Sequence, residues 1–224
     1  MKGIRSLEAQ TGRQWTGVAF HFDRAPTGAL ASRPTRFCEA ITESYARSFV
    51  LPEELVMCPG ARRSLGLSRF SVDDLIREMS TKTGVPPDRV GQILDNTARL
   101  DAPIAAVTVG KIDSPDVVVS YVRPRSAMNL VRRWQEIHGG NLRADLSTFM
   151  AVCGNGAVKA YKLGGICVSF GCPDSREYGR VGDDEMIIAM PYGLATLLFP
   201  EDRADTEEQP CRAAGGKYAQ DTGP

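Results

Sequence analysis

The sequence of 224 residues has very little histidine and no net charge. His21 and His138 are its only histidines, and 27 Lys and Arg residues balance 27 Asp and Glu residues. A chain without excess positive charge lacks the field that draws proteins onto nucleic acid or anionic membranes. Two histidines also leave few candidates for a general base beside a catalytic thiol. The composition therefore argues against a nucleic-acid-binding protein and gives little support to a thiol–histidine enzyme.

Long apolar runs are also lacking. No stretch approaches the ~18 residues that a membrane-spanning helix needs, and Glu8 lies where a signal peptide requires apolar residues. We therefore expect a cytoplasmic protein. Thiols stay reduced in that compartment, so the cysteines are expected to be core, metal-binding or redox residues rather than disulfides. They are Cys38, Cys58, Cys153, Cys167, Cys172 and Cys211.

Several motifs that would indicate a function are absent. The sequence has neither glycine-rich nucleotide fingerprint, G-x-G-x-x-G or G-x-x-x-x-G-K-[ST], and it has no G-x-S-x-G nucleophile motif. It also has no Cys-x2-Cys pair, the spacing typical of zinc ribbons and ferredoxins. A site built from these cysteines must therefore gather its ligands from distant parts of the chain.

The order of apolar patterns predicts the fold class. β-branched runs alternate irregularly with amphipathic segments, which predicts a single α+β domain with a mixed, partly antiparallel sheet covered by helices. We expect a polar N-terminal arm over residues 1–14, the domain over 15–200 and a flexible polar tail over 201–224. Strands are predicted within 15–22, 104–112, 117–122, 166–170 and 185–190, and helices within 38–45, 71–79, 87–98, 126–138 and 192–199.

The short connection between the second and third predicted strands carries turn residues. Residues 113–116 read Asp-Ser-Pro-Asp, and these residue types favour a tight turn. A hairpin is the simplest geometry for the two strands that flank this segment.

Two copies of the pattern Cys-Pro-x-x-Arg begin at Cys58 and Cys172. Proline is favoured at the first helical position, so each cysteine is predicted to be the N-cap of a helix. The free amides and the dipole of a helix start stabilise a thiolate. Arg62 and Arg176, one turn later, are predicted to bind beside a cofactor and to offset negative charge. Metal ligands and nucleophiles both require thiolate, so both functions stay open at this point.

Packing is the competing interpretation for any single cysteine, because free cysteine is among the most buried residue types. Cys153 has a more specific setting, since it begins the segment Cys-Gly-Asn-Gly. Glycines allow the backbone to approach a bound group closely.

A series of short motifs follows one another between residues 15 and 199. They are Phe-Cys-Glu-Ala (37–40), Cys-Pro-Gly-Ala (58–61) with Leu-Gly-Leu (65–67), Pro-Asp-Val-Val-Val (115–119), Ala-Met (127–128), Cys153, Ser-Phe-Gly-Cys (169–172) and Asp-Asp-Glu-Met (183–186). In this order and spacing they resemble the domain-of-unknown-function family 169, an uncharacterised family common in anaerobic bacteria and archaea. The resemblance implies shared cysteines at Cys38, Cys58, Cys153 and Cys172, and leaves Cys167 and Cys211 outside the motifs.

Residue chemistry and resemblance together lead us to expect a cytoplasmic iron–sulfur protein. The four shared cysteines would hold a cluster, most simply [4Fe–4S], that acts in anaerobic redox metabolism or in the assembly or delivery of a metallocofactor. The first alternative is a module in which the cysteines bind zinc, another metal or a small molecule. The second is a thiol enzyme with Cys58 or Cys172 as nucleophile. We expect a protein partner or a homo-oligomer, and neither nucleic acid nor a membrane.

Overall fold

The computed structural model describes residues 2–67, 70–144 and 146–200. Within them, six strands form one sheet in the order β2-β3-β1-β4-β6-β5, and every pair of neighbouring strands is antiparallel. Parallel pairing is limited to isolated bridges at Leu30–Val50 and Thr35–Val56. The predicted α+β class is confirmed. The strands are β1 Thr16–His21, β2 Phe49–Pro52, β3 Ala106–Gly110, β4 Val117–Val122, β5 Cys167–Ser169 and β6 Met186–Pro191.

Nine α-helices lie in the described part of the chain, and the helices expected from the sequence are among them. α4 begins after Ser71, whose hydroxyl accepts a hydrogen bond from the Asp74 amide, and it ends at Gly84 in the left-handed conformation. These are the start and stop signals expected of a helix. The helices are α1 Lys2–Thr11, α2 Phe37–Glu43, α3 Pro59–Ser64, α4 Val72–Thr83, α5 Pro87–Asp95, α6 Pro124–His138, α7 Lys159–Leu163, α8 Pro173–Glu177 and α9 Tyr192–Leu198.

β3 and β4 do not form the predicted hairpin. β1 lies between them, so that Val18 pairs with Val109 of β3 on one side and with Val117 of β4 on the other. The connection from β3 to β4 therefore passes over the end of β1. It passes so closely that a Cβ atom at Gly17 would lie 2.9 Å from Cγ of Pro115. β3 and β4 therefore run in the same direction, and residues 113–116 belong to a crossover rather than to the predicted hairpin turn. Local sequence does not encode a third strand inserted between two neighbours.

The sheet is covered on both faces, which is why all six residues of β4 are buried. Val117 and Val119 face the larger core, which includes α2, α3, α4, α5 and the cysteines. Val118 and Val122 face a second core formed with α1, α6 and α9. This alternation follows from the period-two geometry of a strand. The larger core is the one that positions the candidate site.

Residues 2–11, expected to be part of a polar arm, form a helix that packs into the second core. Ile4 and Leu7 are almost fully buried there beside Trp15. The Trp15 indole donates to the Thr11 hydroxyl at 2.9 Å, and the Trp15 amide donates to Glu8 at 3.0 Å. No helix within the described ranges is long and apolar enough to cross a membrane. The predicted tail over 201–224, with Cys211, lies outside the described residues.

Candidate functional site

The four cysteines that the family resemblance singled out line one cavity in the larger core. Cys38, Cys58, Cys153 and Cys172 come from distant parts of the chain and meet where α2, α3 and α8 approach the segment after residue 150. The cavity has a volume of about 30 Å³. Cys167 is buried in the same core but does not line the cavity. The structure thus brings the predicted residues together, and their role as ligands stays a prediction.

Cys58 and Cys172 occupy equivalent positions at the starts of two short helices. Each is the N-cap residue, in extended backbone conformation, and proline follows as the first helical residue of α3 and of α8. The prediction drawn from the repeated Cys-Pro pattern is confirmed. The turn at Cys172 is fixed by Ser175, whose hydroxyl accepts from the Cys172 amide at 2.7 Å and donates to the Cys172 carbonyl at 2.8 Å. Both thiols are half-buried.

Cys38 lies in the first turn of α2 and is only 6% exposed. Its Sγ atom lies 3.5 Å from the Asp174 carbonyl oxygen of α8. Its own carbonyl oxygen accepts a hydrogen bond of 3.0 Å from the hydroxyl of Tyr121 in β4. These contacts fix Cys38 between α8 and the sheet.

Cys153 begins a π-helix, Cys153–Val158, that continues directly into α7. The wider turn is seen in the amide of Asn155, which donates to the Met150 carbonyl five residues earlier. Single π-helical turns are rare and occur frequently at functional sites. The Cys153 thiol lies 3.7 Å from the Ser64 hydroxyl of α3. Gly154 packs closely against α3, because a Cβ atom there would lie 2.7 Å from the same hydroxyl oxygen. Close approach of this backbone to a bound group stays a prediction.

Met150 is a lining residue that the sequence gave no reason to select. Its thioether lies 3.6 Å from the Ser64 hydroxyl. Its backbone φ angle is 43°, in the left-handed region that residues other than glycine rarely adopt. Thioether sulfur is a soft donor of the same class as thiolate. Backbone strain of this kind is often found at functional sites. No sequence signal marks this residue, since its position depends on the turn before the π-helix.

Asp174 is the second residue that the sequence did not identify. Its carboxylate lies 3.6 Å from the Cys58 thiol, forms an ion pair with Arg36, and accepts from Lys82 at 2.7 Å. The Asp174 side chain is only 11% exposed. The edge of the cavity therefore carries a carboxylate held by two cations. In the sequence, only its position directly after Cys172-Pro173 connects Asp174 with the cysteines. Its two cationic partners could not be found from local sequence, because Arg36 lies at the start of α2 and Lys82 lies in α4.

The thiol of Cys58 does not have the lowered pKa expected of a cysteine at a helix start. Burial raises the pKa of Cys58 to about 11, with Asp174 and Cys172 adding to the rise and Arg36 opposing it. Burial also raises the pKa values of Cys38 and Cys153 well above the ordinary thiol range. At the start of α3 the hydrogen bond from the Ala61 backbone lowers the pKa of Cys58, but by less than burial raises it. Without a bound cation these three thiols stay protonated at neutral pH.

Arg62 and Arg176, predicted to bind beside a cofactor, do not line the cavity. The Arg62 guanidinium donates to the carbonyl oxygens of Glu53 at 2.9 Å and Val56 at 3.1 Å. The Arg176 guanidinium also donates to backbone carbonyls, around the loop before β6. Both arginines therefore bind the backbone, and the cations beside the cavity are Arg36 and Lys82. The acceptors of Arg176 are Phe170, Val181, Gly182 and Glu185.

Neither histidine is placed to act with the thiols. His21 Nε2 lies 2.8 Å from the Thr108 hydroxyl in the β1–β3 pair, and His138 stacks on Trp134 near the end of α6. Within the described ranges, no three His, Cys, Asp or Glu side chains lie close enough together to hold a metal ion as the side chains stand. The donor chemistry nevertheless fits a thiophilic metal, because four cysteines and a methionine line one cavity.

Comparison with known proteins places the chain in a family. A family model described as uncharacterised ArCR, DUF169, matches residues 13–199. The uncharacterized protein MJ0308 of Methanocaldococcus jannaschii is 24% identical over 142 residues, which is 60% of this chain and 61% of that protein. The chain thus spans about three fifths of the length of the curated relative that it matches. No solved structure matches the chain significantly. The match to the family model runs from before β1 to the end of α9, and the chain belongs to the DUF169 family.

Proposed function

We propose that this protein is a metalloprotein whose centre is an iron–sulfur cluster, most simply [4Fe–4S], held by Cys38, Cys58, Cys153 and Cys172. The observation that carries the proposal is that these four thiols, far apart in sequence, line a single cavity. Clusters of this class are held by four cysteine thiolates. Such a centre would supply electron transfer or would itself be cargo for another protein.

The surroundings of the thiols support metal binding over nucleophilic catalysis. A nucleophilic cysteine needs a lowered pKa or a neighbouring base, whereas burial raises the pKa of Cys58 to about 11 and both histidines lie elsewhere. A metal ligand loses its proton when the metal binds, so a high thiol pKa in the metal-free chain is compatible with ligation. Cys58 can pass its proton outward through Asp174, which lies 3.6 Å away at the cavity edge.

A single zinc ion is the second candidate. The observation in its favour is the volume of the cavity, about 30 Å³, which is room for one ion or one to two water molecules. Four thiolates in a tetrahedron are a common structural zinc site. A four-iron cluster would require α3, α8 and the π-helix to move apart.

The proposal includes a cellular setting and a partner. We propose a cytoplasmic location, because thiols that bind metal must remain reduced. Electron transfer and delivery of a metal centre both require a second protein, so the proposal includes a protein partner or a second copy of the chain. Redox metabolism and assembly or delivery of a metallocofactor are both consistent with this proposal.

Metal analysis of protein purified without oxygen tests the proposal. Iron, zinc and acid-labile sulfide would be measured per chain in the wild type, in Cys58→Ala and in Cys167→Ala. Cys167 is the matched control, since it is buried in the same core but does not line the cavity. We expect iron and sulfide with broad absorbance near about 400 nm in the wild type and in Cys167→Ala, and loss of both in Cys58→Ala.

The alternative outcomes are distinct. Zinc at about one per chain without sulfide, lost in Cys58→Ala, would identify the zinc site instead. A chain that stays free of metal after anaerobic reconstitution with iron and sulfide, and also with zinc, would overturn both proposals. Selective alkylation of Cys58 or Cys172 in that metal-free chain would then favour a thiol enzyme.

A further inference from the structure

A second, larger cavity lies between α3, α4 and α5, and none of the four cysteines lines it. Its volume is about 610 Å³, within the range of small-molecule binding sites. Val72 and Ile76 of α4 line it, whereas Leu75 and Met79 of the same helix line the cysteine cavity. The two cavities therefore use neighbouring stripes of one helix and are separate spaces.

Arg63 is the unusual residue of this cavity. It is only 9% exposed, and the hydrogen bond of its guanidinium is a long one, 3.4 Å, to the Thr97 carbonyl oxygen. Arg99 also lines the cavity and is close enough to lower the pKa of Arg63, an effect that adds to the larger effect of burial. Two arginines thus face one space, and one of them is largely removed from water.

Two aspartates, Asp95 and Asp101, also line this cavity, and in the described part of the chain neither forms an ion pair with Arg63 or Arg99. Among residues 2–67, 70–144 and 146–200, neither Arg63 nor Arg99 forms an ion pair with an acidic side chain. Asp101 lines the cavity, but its carboxylate pairs with Lys162 at 2.6 Å. Asp95 lies at the exposed edge and acts on Arg63 only at longer range. Arg63 is a buried charge whose hydrogen bond goes to a neutral carbonyl, which leaves its desolvation poorly compensated, and an anion that reached it past the exposed Arg99 would compensate it better.

The remainder of the wall is apolar. Phe70, Ile76 and Leu94 line the cavity beside the two arginines. A ligand that fits must therefore combine an anionic group with an apolar body. The planar guanidinium matches carboxylate and phosphate groups through paired hydrogen bonds.

We propose that this cavity binds a small organic anion whose carboxylate or phosphate group is held by Arg63 and Arg99. Its apolar body packs against Phe70 and Ile76. The site is independent of the metal proposal, because none of its residues lines the cysteine cavity.

Calorimetric titration of the full chain tests the proposal with four probes. Benzoate and phenyl phosphate carry both features, benzamide lacks the charge, and inorganic phosphate lacks the apolar body. We expect saturable binding of benzoate or phenyl phosphate with Kd of about 1 mM or below, and at least about tenfold weaker binding of benzamide and of inorganic phosphate. The stronger of the two anions identifies the group that the arginines prefer.

Arg99→Gln is the principal variant, because Arg99 is exposed and its loss should leave the fold intact. We expect it to weaken binding about tenfold or more, the loss of a charge-assisted hydrogen bond. Arg89→Gln is the matched control, since Arg89 is an exposed arginine of α5 that does not line the cavity. Arg63→Lys keeps the positive charge but loses the planar guanidinium that makes paired hydrogen bonds. It should weaken anion binding while the chain stays folded.

Three results would overturn the proposal. They are the absence of saturable binding of either anion at about 10 mM, equal affinity for benzamide or inorganic phosphate, and unchanged affinity in Arg99→Gln. The Cys58→Ala variant should bind the anion as the wild type does. The failure of this inference and the failure of the metal proposal are thereby distinguishable.

Discussion

The thiol of Cys58 lies 3.6 Å from the carboxylate of Asp174, and this contact connects the cysteine cavity to the charged residues at its edge. The carboxylate raises the pKa of the thiol, and the same carboxylate is held by Arg36 and Lys82. The two cations thereby fix a negative charge beside a thiol that must lose its proton to bind metal. The charge of Asp174 is thus linked both to the stability of the fold and to the ionisation of the thiol.

Replacing Asp174 by asparagine should affect both properties. Arg36 and Lys82 lose their shared partner at a largely buried position, so we expect a loss of about 1–3 kcal/mol in the free energy of unfolding, between the values for exposed and buried ion pairs. The pKa of Cys58 should fall, because a charge that raises it is removed. Urea unfolding measures the first effect, and the pH dependence of alkylation at Cys58 in the metal-free chain measures the second.

The matched control is Asp74→Asn, which breaks an ion pair with Arg77 whose side chains are 69% and 75% exposed. It should cost less than about 1 kcal/mol and leave the alkylation profile unchanged. Equal costs for the two variants would show that the ion pairs of Asp174 do not stabilise the fold more than an exposed pair does.

The stability of the metal-free chain should fall in alkaline solution. Burial raises the pKa of Cys58 from 9.0 to about 11, and those of Cys38 and Cys153 also rise. Below pH 9.0 the folded and unfolded chains both hold these protons, so the stabilisation is complete. Above it the unfolded chain releases protons that the folded chain keeps, and each thiol lowers the free energy of unfolding by about 1.4 kcal/mol per pH unit.

Urea unfolding of the reduced, metal-free chain between about pH 8 and about pH 10 checks this expectation, since ordinary tyrosines titrate only at the upper end of that window. The slope should be smaller in Cys58→Ala by the contribution of one thiol. A free energy of unfolding that stays constant over the window would contradict the burial of the thiols.

Gly154 should tolerate no side chain, because it lies where the π-helix meets α3. A Cβ atom there would lie 2.6 Å from Cγ2 of Thr97 and 2.7 Å from Oγ of Ser64. We expect Gly154→Ala to cost about 1–3 kcal/mol, as overpacking of a core does, and to reduce the metal content by displacing Cys153. Gly165→Ala is the control, since nothing lies within 4 Å of its Cβ position. Similar unfolding midpoints for the two variants would be inconsistent with this packing.

The parts of the site that sequence could predict are those with local causes. Cys58 and Cys172 are helix N-caps because the proline after each one favours the first helical position, and both residues of that signal are adjacent in sequence. The prediction of a hairpin between β3 and β4 was wrong because its cause is not local. Its turn residues are local, but the strand inserted between β3 and β4 comes from about 90 residues earlier, at Val18.

The thiol pKa values and the ion pairs of the site also depend on tertiary packing, which the sequence does not show. A helix start lowers a thiol pKa when the thiol keeps some solvent, yet burial outweighs that effect at Cys58. The ion pairs of Asp174 join α8 to the start of α2 and to α4, and no spacing in the sequence indicates such a meeting. Residue types thus indicated where the candidate site lies, and only the fold indicates which charges surround it.

A substitution at Arg176 can distinguish the role that the repeated sequence pattern predicts from the role that its contacts in the structure indicate. The pattern Cys-Pro-x-x-Arg assigns its charge to the cysteine centre, whereas in the structure its guanidinium donates to backbone carbonyls of the loop before β6, including those of Val181 at 3.3 Å and Glu185 at 3.2 Å. Arg176→Lys keeps the charge and loses the planar fork. We therefore expect it to lower the free energy of unfolding by about 0.5–1.5 kcal/mol, the net worth of a hydrogen bond to a partly buried acceptor, and to leave the metal content per folded chain equal to that of the wild type. Urea unfolding and metal analysis of the same preparation measure both. Unchanged stability with reduced metal content would instead support the role beside a cofactor that the repeated pattern predicts for Arg176.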